Sequence, residues 1–125
     1  MSSFNTILFD LDGTLLPIDG QAFEKIYFGN LSKHFLDVYE PKMLIQLIWG
    51  ATKIMVKDTS DRTNEVVFME SLQKLVGSDI TWMQERFARF YETNFDQLRA
   101  AVTPNANVLE AVRILKEKGY QCVIV

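Results

Sequence analysis

Apolar and polar positions alternate along this chain with two different periods. Thr6 to Phe9 is a short, nearly unbroken apolar run that leads into the carboxylate of Asp10. That pattern predicts a buried strand over residues 5–10 whose carboxyl end opens onto a loop. From Gln21 the period lengthens: Phe23, Ile26, Tyr27, Leu31, Phe35 and Val38 recur at helical spacing and predict one apolar face, broken at Pro41. Leu44, Leu47, Ile48, Ala51 and Met55 form a second helical stripe. It begins just after that proline, which a first helical turn tolerates because its missing donor has no intrahelical partner there. The polar stretch KDTSDRTN ends it.

Phe68, Leu72, Leu75 and Val76 predict a third helix closed by Gly77. Thr81 and Gln84 fit a capping box that opens a fourth, carrying Phe87, Phe90, Tyr91 and Leu98. Thr103 as cap and Pro104 at the first position then predict a fifth helix, with Val108, Leu109, Val112 and Leu115 on one face and Gly119 as terminator. YQCVIV begins a second strand. The helical stripes repeat at the spacing of a packed face and read as core, not as cofactor contacts. Two strands joined through a helix suggest parallel pairing, which is normally buried on both faces of a larger sheet. The chain is therefore expected to be the front part of a longer protein, with an open sheet edge through which it self-associates.

Composition narrows the classes. At 48% hydrophobic and 23% charged, 125 residues hold enough apolar material for a core. A net charge of -3 leaves no basic surplus for a nucleic-acid backbone or an anionic membrane, so neither is expected as a partner. No run approaches the roughly 18 apolar residues of a membrane span, and the stretch MSSFNTILFDLDG reads as neither a basic leader nor a long apolar run. A soluble, reducing, cytoplasmic setting is expected. The single Cys122 lies in an apolar run and reads as a small hydrophobe. His34 reads as a partly exposed helix residue, and Lys53 and Lys57 as a solvated helix face.

Chemistry concentrates where the first strand ends. Asp10 and Asp12 are two residues apart, so both acids can approach one site, and Gly13 and Thr14 let the chain turn with backbone amides open to an anion. A carboxylate can attack phosphorus when a hard cation such as Mg2+ screens the two negative charges. Spacing alone leaves a second reading open, because Asp-Gly between apolar arms is also a hairpin signal that would pair ILFDL with TLLPI. Pro17 weakens that hairpin by removing a ladder donor.

The string from Ile7 to Leu16, an apolar strand followed by Asp-x-Asp-Gly-Thr-Leu, resembles the first signature motif of the haloacid dehalogenase (HAD) superfamily. The helices after it resemble that family's inserted cap, and TPNANVLEAVRILKEKGYQCVIV is similar to the helix and strand leading into its second motif. The resemblance implies an α/β fold: a HAD-like core fragment with a Rossmann-like parallel sheet and a large four-helix cap, predominantly helical in these residues. Residues 1–17 would be the first strand and catalytic loop, 18–101 the cap, and 102–125 the return to the core.

It also implies roles. Asp10 would be the nucleophile and a metal ligand, and Asp12 the general acid and base with its carbonyl on Mg2+. Leu11 and Asp12 amides would face the phosphoryl group, and Gly13 and Thr14 would shape the phosphate-binding turn. An acid at Asp12 favours a phosphatase or phosphomutase, since the dehalogenase, phosphonate-cleaving and cation-pumping relatives typically lack it. The expected activity is Mg2+-dependent hydrolysis of a small phosphorylated metabolite through an aspartyl-phosphate at Asp10. The family's Ser or Thr, Lys and late acids have no counterpart before Val125, so this stretch alone is expected to be inactive, a fragment or an assembly module. Which of Phe28, Trp49, Lys53 or Arg62 meets a substrate is not set by spacing.

Overall fold

The computed structural model describes residues 4–125. In chain order it contains strand β1 (Thr6–Phe9), helices α1 (Gly20–Lys33), α2 (Pro41–Lys57), α3 (Asn64–Val76) and α4 (Thr81–Thr93), a 3-10 segment (Phe95–Ala101), helix α5 (Ala106–Glu117) and strand β2 (Gln121–Ile124). Two compact units divide them. One joins the chain up to Glu24 with Leu98–Val125, and the other is Lys25–Gln97.

In the first unit β1 and β2 pair in parallel, in the register Thr6 with Gln121 through Phe9 with Ile124. Hydrogen bonds from Gln121 N to Asn5 O (2.7 Å) and from Val125 N to Phe9 O (3.0 Å) carry the pairing to both ends of the strand. This excludes the hairpin reading, because the arm after the turn pairs elsewhere: Ile18 forms an antiparallel bridge with Val102. Asp19 N donates to Ala101 O and Thr103 N to Pro17 O beside it. That pairing also moves the start of α5. With its N–H given to Pro17, Thr103 lies outside the helix, and neither it nor Pro104 opens it. Asn105 is the cap instead, its side chain accepting from Asn107 N.

Little of this unit is sealed from water. α5 packs against β2 but has no buried residue. Leu109, expected on its apolar face, is 75% exposed, and Leu8 of β1 is 63% exposed.

The helical unit has a dry core of Leu31, Phe35, Leu44, Ile48, Ala51, Leu72, Ile80, Met83 and Phe90. α2 starts on Pro41 as its sequence requires, and α3 ends at Gly77 in the left-handed conformation, its N–H returning to Gln73 O. α2 and α3 approach closely at Gly50, where a Cβ would sit 2.9 Å from Leu75 Cδ1.

Besides the start of α5, three boundaries, all on α1 and α4, differ from the expected ones. α1 stops at Lys33, not beyond Val38. His34, Phe35 and Val38 instead donate three residues back, to Leu31, Ser32 and Phe35, in turns that preserve the apolar spacing while ending the helix. Arg86 of α4 holds that segment: it donates to His34 O at 2.8 Å and makes a two-pronged pair with Asp37. Its guanidinium lies 5.0 Å from the Trp82 ring centre and 5.7 Å from that of Phe35. Val38 is consequently left half exposed. The capping box at Thr81 does not form either. Ile80 occupies the cap position and is buried, while Asp79 Oδ1 takes the Thr81 amide and hydroxyl. Finally, α4 ends at Thr93, so Leu98 rides on the 3-10 segment, where it is buried, and not on the fourth helix.

Candidate active site

The parallel pairing of β1 stops at Phe9, and the chain leaves the sheet at Asp10. It then enters a compact turn closed by three backbone hydrogen bonds: Gly13 N to Leu16 O (2.9 Å), Thr14 N to Leu11 O (3.1 Å) and Leu16 N to Leu11 O (2.9 Å). Gly13 has φ +78°, in the left-handed region. Nothing lies within 4 Å of where its Cβ would be, so the demand for glycine is conformational and not one of space.

Asp10, Asp12, Gly13 and Thr14 are all exposed, and Leu11 is exposed at 38%. The donors of the turn are the amides of Gly13, Thr14 and Leu16, so its bonds draw on neither the Leu11 nor the Asp12 amide. Nor does the Asp12 carbonyl accept any of them. The Thr14 hydroxyl is turned back on the first acid, donating to Asp10 Oδ2 at 2.9 Å. Sequence reasoning placed Thr14 in the turn without this bond. Its signal is the spacing: a hydroxyl four residues after an acid, across a glycine that reverses the chain.

Free carboxylate and carbonyl oxygens are the hard donors that Mg2+ prefers, and that ion commonly takes only one or two protein ligands beside water and phosphate. A carboxylate oxygen of Asp10 and the Asp12 carbonyl fit it in kind. Among the described residues no group of three or more His, Cys, Asp or Glu side chains gathers to hold a metal.

The other candidates lie in the helical unit. Arg62 is tied to Asp58 (2.7 Å) and Glu70 (2.5 Å), and its partner Asp58 is held below the usual carboxylate range first by the Ser60 hydroxyl. Trp49 is part exposed and leans on Phe28, 6.0 Å between ring centres. Lys53 and Lys57 are exposed on α2. His34 lies one residue past α1, half-buried, with Nε2 2.8 Å from Asn94 Oδ1 and its ring edge-on to Phe90. Tyr27 and Tyr91 meet hydroxyl to hydroxyl at 3.0 Å, and burial pushes the Tyr27 phenol well above its ordinary range. A cleft of about 450 Å³ is lined by Glu70, Gln73, Lys74, Gly77, Ser78 and Asp79, a polar mixture of both charges. In the first unit, Cys122 is half-buried in β2.

A strand that runs into Asp-Leu-Asp-Gly-Thr, a tight turn beyond it and a parallel partner strand reached through a helix make up the α/β part of the chain. The chain matches the haloacid dehalogenase-like hydrolase family over residues 4–125 and belongs to it. No curated protein and no solved structure matches the chain in the corresponding comparisons. Among the described residues, no helix is long and apolar enough to cross a membrane.

Proposed function

We propose that this chain carries the nucleophile and the general acid of an Mg2+-dependent phosphatase acting on a small phosphorylated metabolite. The observation that carries the reading is the turn after β1. It presents two exposed acids beside two backbone amides that its own hydrogen bonds do not use. Asp10 Oδ1 attacks phosphorus, a P–O bond to the Asp10 carboxylate forms, and the ester P–O bond breaks. Asp12 gives its proton to the departing oxygen. It then takes one from the water that attacks the aspartyl-phosphate, freeing Asp10 and inorganic phosphate. The Leu11 and Asp12 amides stabilise the charge that develops on the phosphoryl oxygens. Mg2+, held by Asp10 and the Asp12 carbonyl, would screen carboxylate from phosphate. The helical unit serves as the family's cap and sets substrate choice.

Phosphate release from a panel of phosphorylated metabolites, measured on the protein carrying this sequence, tests the reading. Release should require Mg2+, stop on chelation, and fall by about 10³-fold or more in Asp10→Asn. Full turnover in chelator, or Asp10→Asn within about tenfold of the parent, would overturn it.

A further inference from the structure

We infer that Thr14 is a positioning residue for the attacking carboxylate: its hydroxyl holds Oδ2 of Asp10, so that Oδ1 is the oxygen that attacks. The inference rests on the proposed role of Asp10 and deepens it. The two oxygens of a carboxylate are chemically equivalent, and an exposed aspartate is free to change rotamer on the nanosecond scale or faster. Asp10 is exposed and lies one residue beyond the last ladder pair. The one side-chain bond that fixes it among the described residues comes from Thr14 Oγ1, at 2.9 Å.

That donor is itself well placed to stay put. Gly13 at φ +78° reverses the chain, and the amide of Thr14 is tied to Leu11 O at 3.1 Å, which returns the residue toward Asp10. Threonine is stiff at χ1 because its Cβ is branched, so a fixed backbone gives a fixed Oγ1. A hydrogen bond to an ionised acceptor is stronger than one between neutral groups. A hydroxyl has a single proton to donate. While it serves Asp10, it does not serve a phosphoryl oxygen. Thr14 therefore acts on the nucleophile, not on the substrate.

An approach that must be correct to a fraction of an ångström is sensitive to such a bond. The first arm of the test needs neither substrate nor metal. Three-bond couplings from Asp10 Cγ to its backbone nitrogen and carbonyl carbon report χ1 in the 125-residue chain. The parent and Thr14→Ser should show one rotamer, and Thr14→Val, which keeps the shape and loses the hydroxyl, should show averaged couplings. A single unchanged rotamer in Thr14→Val would overturn the inference.

The second arm is turnover. Thr14→Val should lose about 10- to 100-fold in kcat with KM within about twofold, and Thr14→Ser should recover most of it. An unchanged kcat in Thr14→Val would also overturn the inference. If Thr14→Val does not fold, Thr14→Ala replaces it in both arms. A parent protein that releases no phosphate refutes the phosphatase reading, and the couplings still decide whether Thr14 holds Asp10.

Discussion

Phe90 and Leu109 are both large apolar side chains on helices, yet Phe90 is fully buried and Leu109 stands 75% exposed. They stand for the two units. Around Phe90, edge-on rings from Tyr27 at 5.4 Å and Tyr91 at 5.2 Å join the core packing, and water is excluded. Around Leu109 there is a two-stranded sheet with one helix against it, and its side chains remain largely wet. The chemistry-bearing turn belongs to the second environment. Burial energy and reactive groups are thus carried by different stretches of one chain, and substitutions should affect one without the other.

The sharpest way to break that separation is Asp12→Asn. It should lower phosphate release by about 10²- to 10⁴-fold through loss of proton transfer. Its thermal unfolding midpoint should match the parent's, because the side chain is exposed. A large drop in both quantities would merge the two regions. Next in size is Phe90→Ala, expected to cost about 3–5 kcal/mol in denaturant unfolding by opening a cavity in the helical unit. A loss under about 1 kcal/mol would mean that this core is loosely packed.

Leu109→Asn makes the complementary case. At 75% exposure it should change stability by no more than about 0.5 kcal/mol in the same assay. A cost like that of Phe90→Ala would show that the α5 surface is covered in solution.

The smallest effect concerns Asp37. Its hydrogen bonds to Arg86 hold the carboxyl below its usual range. A depressed folded value means that the pair stabilises above the ordinary carboxylate pKa of about 3.9, and that the contribution disappears as pH falls through the lower, folded value. The difference in unfolding midpoint between parent and Asp37→Asn should therefore shrink as the solution is acidified below that range. A difference that persists unchanged at the acid end would assign the stabilisation to packing of Arg86 on Trp82 and Phe35.

Local signals told most where one residue type has one conformational use. Pro41 starts α2, Gly77 closes α3 and Gly13 turns left-handed after Asp10, as the sequence predicts. Two other local signals failed where a distant group captured a backbone donor or acceptor. Pro17 O claims the Thr103 amide and delays α5, and Arg86 claims the His34 carbonyl beyond the end of α1. Neither partner is near in sequence, so no local pattern contains it. Periodicity also reported which face of α5 is apolar without reporting whether anything lies on it. At the site, the string around Asp10 and Asp12 was legible because the turn is built from adjacent residues, whereas the direction of the Thr14 hydroxyl needed the three-dimensional reversal at Gly13.

The pairing of β1 with β2 also has a kinetic side. These strands lie at opposite ends of the chain, and closing a flexible loop of roughly a hundred residues costs about 4 kcal/mol of entropy on simple polymer grounds. The bridge between Ile18 and Val102 intervenes. Once it forms, the strands are joined through segments that total roughly thirty residues, which lowers the closure cost by about 1 kcal/mol. Contacts local in sequence form early and distant ones late. The helices between Lys25 and Gln97 should therefore condense first, the Ile18–Val102 bridge should form after them, and the strand that leads into Asp10 should be the last element to find its partner.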